Sequence, residues 1–257
     1  MAIVTLTSDL GVKDHYVAVI KGKLMTGAPG VQVVDISHEV APFNIQEAAF
    51  ILRNAYTHFP AGTIHMVSVH AENKSPVKGV IIQYNGHVFV GMDNGLFSLL
   101  FDDEPEFIFE IDGSAQVTST FPAKDILSAV VSALASGQAP ATLGTPLGAL
   151  SSRTYLRPPD NDFLMRANIV YIDRFGNLVT NVSKERFEQK RAGRTFVINY
   201  KRTEEIRAIS ATYNDVSEGE RLCLFNASGN LEIAINKGSA SQLLGLHIDD
   251  IIQIEFQ

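Results

Sequence analysis

Three stretches of the chain carry side chains whose types and spacing suit a polar organic ligand. The first is Thr7-Ser8-Asp9-Leu10-Gly11, which follows the apolar run Ile3 to Thr7, with a second acid at Asp14. An ionised Asp offers acceptor sites only, so a carboxylate at the carboxyl end of a strand can take both hydrogens of a sugar diol. The same two acids also suit a turn and a helix N-cap, where short side chains accept unpaired amides.

The second stretch is Asp173-Arg174-Phe175-Gly176-Asn177-Leu178-Val179-Thr180-Asn181. An aromatic face with an amide two residues on can stack against a purine and read its edge. Read locally, Phe-Gly-Asn is a hairpin turn with a core Phe and an Asn that tolerates left-handed backbone. The third stretch runs from Asn226-Ala227-Ser228-Gly229-Asn230 to Lys237-Gly238-Ser239-Ala240. Small residues there let a ligand approach the backbone, and amides near Gly238 could hold a carboxylate. The alternative is a hairpin turn followed by a strand-to-helix transition.

Other chemistry finds less support. His38 precedes Glu39 in a loop, but no second His or Cys stands at metal spacing, so a zinc site is not expected. Val88 to Gly95 reads as a strand ending in a glycine-punctuated turn. No phosphate loop, GxGxxG fingerprint or nucleophile elbow occurs.

The elements that must position these groups follow from hydrophobic period. Ile3 to Thr7, Val31 to Ile36, Thr63 to Val69, Gly79 to Tyr84 and His87 to Val90 read as strands. Between them, Asp14 to Met25 carries Val17, Ile20 and Leu24 at helical spacing, and Asn44 to His58 repeats that pattern. A third helix spans Asp125 to Ser136, with Gly137 as its stop. Alternating strands and helices predict an α/β domain over residues 1–144, with a mainly parallel sheet flanked by helices.

Four of the ten prolines fall between Ala139 and Asp162, and residues 145–165 read as a linker. From 166 to 257, strand-like runs recur at short intervals (Ile169 to Ile172, Thr195 to Tyr200, Arg221 to Phe225, Leu231 to Ile235, Ile251 to Phe256), which predicts a small β-barrel domain.

The 257 residues carry a net charge of -7 with no dense Lys/Arg run, so a nucleic-acid partner is not expected. The single cysteine, Cys223, lies between Leu222 and Leu224, as a buried strand thiol would, and fits a reducing cytoplasm. No apolar run reaches membrane-spanning length, and the amino terminus lacks the basic and apolar regions of an export signal, so neither membrane nor export is expected.

In order and spacing, these pieces together resemble the S-adenosylmethionine hydroxide adenosyltransferases, the family that also holds the fluorinase and chlorinase halogenases. The matching segments are Thr7 to Gly11 with Asp14, Val34 through Ala49, Gly91 to Leu96, Asp173 to Asn181, and Asn226 to Ala240. The resemblance implies an α/β N-terminal domain and a C-terminal barrel, assembled as a homotrimer whose ligand sites join one copy's N-terminal domain to a neighbour's C-terminal domain. It implies Asp9, with Asp14, at the adenosine, Asp9 holding the ribose hydroxyls. It places Phe175 and Asn177 on adenine, Phe43 as an aromatic wall, and Asp173, Ser228 and Ala240 at the methionine end. The reaction implied is displacement at ribose C5′ with methionine leaving as a neutral thioether, and no metal or second cofactor.

This chain departs from the hydrolytic pattern in the groups that activate water. Where those members carry an Asp-Pro-Gly-Val-Gly-Thr-x-Arg loop, this one reads His70-Ala71-Glu72-Asn73-Lys74-Ser75-Pro76-Val77-Lys78, and the position of a further His falls on Pro122. Glu72 and Lys74 do not match the small halide pocket of the halogenases either. A substitute set is His70 as base, since imidazole titrates near neutrality, with Lys78, Lys74 or Glu72 orienting water. The expected function is hydrolysis of S-adenosylmethionine to adenosine and methionine. The rival readings are an inactive nucleoside-binding sensor and a structural trimer, and a solvated loop is the alternative for His70 to Lys78.

Overall fold

The computed structural model describes residues 1–71, 78–116, 119–153, 161–201 and 204–257. By internal contacts the chain forms two compact units, Met1–Tyr155 and Leu156–Gln257.

The first unit runs β1 (Ile3–Ser8), α1 (Tyr16–Gly27), β2 (Gln32–Ser37), α2 (Ile45–Tyr56), β3 (Ile64–Ser68), β4 (Gly79–Tyr84), β5 (His87–Met92), α3 (Leu96–Leu100), β6 (Phe107–Ile111), α4 (Ser128–Ala135) and β7 (Gly144–Pro146). Its strands form one sheet in the order β2-β1-β3-β5-β4-β6-β7. Pairing is parallel from β2 to β5 and antiparallel across β4, β6 and β7. The predicted α/β class is therefore what the unit adopts, with its parallel pairs gathered on one side of the sheet.

Helices cover both faces, which is why β1, β3, β4 and β5 are buried almost along their length. One face packs Ile20 and Leu24 of α1 with Leu127 and Val131, and the other packs Leu52 of α2 with Leu96 and Leu100 of α3. Asn44 caps α2 by accepting the Glu47 amide at 3.1 Å, while Glu47 reaches back to the Ala41 amide at 3.0 Å. A π-helical turn, Ala123–Leu127, leads into α4, and Gly137, at φ 93°, ends it.

Two differences from the sequence reading bear on the site. Helix α1 begins at Tyr16, so Asp14 is not its cap, and that position belongs to His15, which makes no side-chain capping bond. Residues 145–153, read as the start of a linker, are held by the first unit. Thr145 and Pro146 pair with Glu110 and Phe109, Ser151 donates to Asp93 from N at 2.9 Å, and Arg153 N donates to Ser98 Oγ at 2.8 Å. Pro146 is tolerated because β7 is an edge strand, where no ladder hydrogen is demanded of it.

The second unit runs β8 (Leu164–Ile172), β9 (Leu178–Ser183), α5 (Lys184–Arg191), β10 (Phe196–Lys201), β11 (Glu204–Ile206), β12 (Arg221–Phe225), β13 (Asn230–Ile235), α6 (Ala240–Leu244) and β14 (Ile251–Phe256). The order β11-β10-β14-β8-β9-β13-β12 is antiparallel throughout. Its two ends are drawn together: Ser210 N donates to Cys223 O at 2.7 Å, and Arg221 reaches Glu204 at 3.2 Å. The result is the predicted small barrel. Alternation along β8 and β14 sends Met165, Ala167, Ile169, Ile252 and Ile254 inward, and Phe187 of α5 joins the same core.

Candidate active site

Four parallel strands of the first unit end at one rim, and each delivers a polar residue just beyond its carboxyl end. β1 delivers Asp9, β2 delivers His38, β3 leads to His70 and β5 to Asn94. Strand order reverses direction between β1 and β3, because β1 connects outward to β2 while β3 leads to the opposite side. In open α/β sheets the crevice at such a point is the usual ligand site.

Asp9 fixes that crevice. Its Oδ2 accepts the backbone amides of Phe43 at 2.9 Å and His70 at 3.1 Å. Both donors sit in left-handed backbone, Phe43 at φ 66° and His70 at φ 47°, a conformation that costs a residue with a side chain and persists where the surroundings impose it. The Asp9 carboxylate imposes it, and the neutral turn-or-cap reading gives way to a clamp on two loops. Asn94 secures the same loop from the other side, donating to the carbonyls of Val69 at 2.9 Å and His70 at 3.1 Å. The Phe43 and His70 rings meet edge to face, with centroids 5.5 Å apart.

These residues bound a cavity of about 200 Å³ lined by Asp9, Phe43, Ser68, His70, Phe121 and Pro122. Lys78 does not line it, and its ammonium instead pairs with Glu110 at 2.7 Å. Asp14 is exposed and outside the cavity lining. Glu72, Lys74 and Val77 lie outside the described residues. A larger groove of about 720 Å³ between α1 and α4 is lined by small residues such as Gly22, Gly27 and Ala133, with Lys23 its one charged side chain, so it offers no comparable chemistry.

The barrel carries its own pocket, about 530 Å³, lined by Asp173, Phe175, Asn177, Tyr213, Lys237 and Ser239. Asp173 builds the turn: Oδ1 accepts the amides of Phe175 and Asn177, both at 2.9 Å, and Oδ2 accepts the Asn177 side-chain amide at 2.9 Å. That leaves Asn177 buried while Phe175 stands 78% exposed, an uncovered aromatic face beside a fixed amide. Gly176, at φ 84°, lies against Ser239, where a Cβ would collide with that side chain. The turn is there, but its Phe is exposed rather than in a core, and the left-handed residue is Gly176 rather than Asn177.

Of the residues predicted for the methionine end, Asp173 lines this pocket, whereas Ser228 lies on the neighbouring Asn226–Asn230 turn. Ala240 is fully buried in the barrel core, so it can offer a ligand its backbone alone. Sequence reasoning missed Tyr213 and Glu232. The Tyr213 hydroxyl donates to Glu232 at 2.7 Å, and Asn226 donates to the same carboxylate at 3.0 Å. Burial pushes the Glu232 carboxyl up, opposed by those two hydrogen bonds. No motif marks Tyr213. An acid in the apolar run Leu231 to Ile235 was the one available signal for Glu232.

The S-adenosylmethionine hydroxide adenosyltransferase N-terminal domain model matches residues 4–144, and the C-terminal domain model of the same family matches residues 167–253. The chain belongs to that family. The (R)-S-adenosyl-L-methionine hydrolase of Thermus thermophilus is 29% identical over 260 residues, covering 96% of each chain. The hydrolase of the same name from Methanocaldococcus jannaschii is 29% identical over 267 residues, covering 98% of this chain and 95% of that one. The fluorinase of Actinopolyspora mzabensis is 23% identical, covering 92% and 91%. Among solved structures, an uncharacterized conserved protein from Thermotoga maritima superposes with a TM-score of 0.87 at 29% identity, covering 98% of this chain and 99% of that one. The family match spans both halves, so in this adenosyltransferase-family chain the Asp9 crevice and the Asp173 pocket each fall within a matched domain.

Proposed function

We propose that this protein hydrolyses S-adenosylmethionine to adenosine and methionine. The observation that carries the reading is the Asp9 crevice, in which a carboxylate, an aromatic wall and an imidazole share one small cavity at the strand ends. Asp9 spends Oδ2 on the two loop amides and keeps Oδ1 for the ribose hydroxyls. Phe175 stacks on adenine, and the Asn177 carbonyl oxygen accepts from its amino group.

In the step itself, water attacks C5′ in line and the C5′–S bond breaks with its electron pair going to sulfur. The sulfonium becomes a neutral thioether, the attacking oxygen becomes the 5′-hydroxyl, and the water proton passes to His70 and then to solvent. The chain's part is to orient the reactants and to strip the nucleophile of solvent. The reading needs no metal or second cofactor. Lys78, engaged with Glu110, is given no step.

In the same proposal the ribose half-site of one copy meets the adenine half-site of a neighbour in a homotrimer, which would cover Phe43 and Phe175, 56% and 78% exposed in a single chain. The compartment assigned is the cytoplasm, where a buried lone thiol such as Cys223 stays reduced. Among the described residues no helix is long and apolar enough to cross a membrane.

The test is to incubate purified protein with S-adenosylmethionine, follow adenosine by chromatography and measure adenosine binding by calorimetry. Turnover in the wild type, lost in His70→Ala with adenosine affinity retained, is the expected result. Binding without turnover would return the sensor reading, and the absence of both would refute a nucleoside site.

A further inference from the structure

The turn that carries Asp9 is held from beneath by buried polar groups to which the proposed reaction gives no role. Ser8 and His38 come from the ends of adjacent parallel strands and are 2% and 5% exposed. Ser8 Oγ lies 2.7 Å from His38 Nδ1, and His38 Nε2 lies 3.1 Å from Asp35 Oδ1. Asp35 Oδ2 in turn accepts from Lys21 Nζ at 2.6 Å. Two backbone bonds tie the array to the turn: Leu10 N donates to Ser8 Oγ at 3.4 Å, and Gly11 N donates to the His38 carbonyl at 2.7 Å.

With its hydrogen on Nε2, the neutral His38 ring accepts from the Ser8 hydroxyl, whose oxygen then accepts from Leu10, while Nε2 faces ionised Asp35 at 3.1 Å without hydrogen-bond geometry. Burial opposes ionisation of Asp35, but the Lys21 ammonium and the His38 ring beside it outweigh burial and hold its carboxyl below the usual range. The members would suit a Ser-His-Asp nucleophile in type, yet a hydroxyl 2% exposed and already donating to the ring is not open to a substrate. What the array can do is hold a backbone.

We propose that His38 is a positioning residue for the nucleoside: through Ser8 its ring sets the turn on which Asp9 stands, beside the backbone bond from Gly11 that any residue at 38 would accept, so that the grip on ribose depends on a ring that touches no substrate. The inference rests on the ribose role given to Asp9 above. Removing the ring leaves a buried hydroxyl without its acceptor and a carboxylate without the ring that faces it, and the turn is left with its backbone bond at Gly11 alone.

The test is a double-mutant cycle on adenosine affinity, read by calorimetry beside thermal midpoints. His38→Ala is expected to weaken adenosine about tenfold, the scale of one or two lost hydrogen bonds in a coupled network. His38→Gln, which keeps one donor and one acceptor, should recover most of that loss. In an Asp9→Ala background, His38→Ala should add less than about twofold, since its effect travels through Asp9. Ser8→Ala removes one hydroxyl with little change of volume, and should weaken adenosine about threefold even if the His38 variants fail to fold. Wild-type affinity in a folded Ser8→Ala or His38→Ala protein, or full additivity with Asp9→Ala, would overturn the inference while leaving the proposed function intact. A wild-type protein that neither binds adenosine nor releases it from S-adenosylmethionine would instead overturn the function itself, and with it any positioning role.

Discussion

The Asp9 carboxylate accepts the His70 amide at 3.1 Å across 61 residues of sequence, and so the group proposed to hold ribose also sets the backbone of the group proposed to activate water. Binding and chemistry are thereby coupled through one oxygen atom. Asp9→Ala should weaken adenosine at least tenfold and also lower stability by about 1–3 kcal/mol, because two loop amides lose a charged acceptor. Asp9→Asn, which retains one carbonyl oxygen, should lose less stability than Asp9→Ala. Calorimetric affinity and a denaturant midpoint measured on the same samples separate the two effects.

His70→Ala should abolish adenosine release while changing adenosine affinity by less than about threefold, since the Asp9 bond is made by the backbone amide. A variant that also lost binding tenfold would show that the ring, through its edge contact with Phe43, shapes the pocket rather than the reaction.

Gly176→Ala should destabilise the barrel by about 1–3 kcal/mol, from left-handed backbone and a forced collision with Ser239. Because Gly176 lies between Phe175 and Asn177, adenosine affinity should fall with it. Ser239→Gly in the same chain opens that space and should restore part of both. Chemical denaturation of the single and double variants checks the pairing.

Acid sensitivity should originate in a buried histidine pair whose first member, His65, lies three residues before Ser68 of the crevice. Thr5 Oγ1 lies 2.7 Å from His65 Nδ1, and His65 Nε2 lies 3.1 Å from His87 Nδ1. Burial, reinforced by His87, brings the His65 imidazole down to about 3, and burial also lowers His87. The unfolded chain therefore takes up protons first, beginning near the ordinary histidine value of about 6.5. Stability from the neutral pair is fully present above that value and is lost progressively as pH falls toward about 3. His65→Gln should flatten the slope of thermal midpoint against pH in that window, and an unchanged slope would assign the acid limb to the carboxylates.

Tyr213→Phe deletes one of two donors to the buried Glu232 carboxylate and should cost about 1–3 kcal/mol by the penalty for an under-satisfied buried acceptor. Glu232→Gln in that background relieves the charge and should recover part of the loss, measured by urea midpoints.

Much of the fold was legible because its signals are local. The β-branched runs at Ile3 to Thr7 and Gly79 to Tyr84 are strands, and Ile251 to Phe256 is β14 with its predicted bounds. Helix α2 lies inside the Asn44 to His58 run whose apolar spacing marks it. β7 was hidden because Pro146 argues against a strand wherever its edge position is unknown, and α3, five residues long, is too short to show a period.

By itself the sequence determined which residues could do chemistry: Asp9 after the first strand, the Asp173 to Asn177 turn, and a His70 loop without the expected acid. Those properties depend on residue type and on neighbours a few positions away. Only the tertiary structure decided which of them share a space. The order β2-β1-β3-β5 brings Asp9, Phe43 and His70 to one rim and sets His38 beneath Ser8, while Lys78 is drawn to Glu110. The reason is physical: strand order follows from burying both sheet faces under helices, a condition on the whole chain that no short window of residues contains.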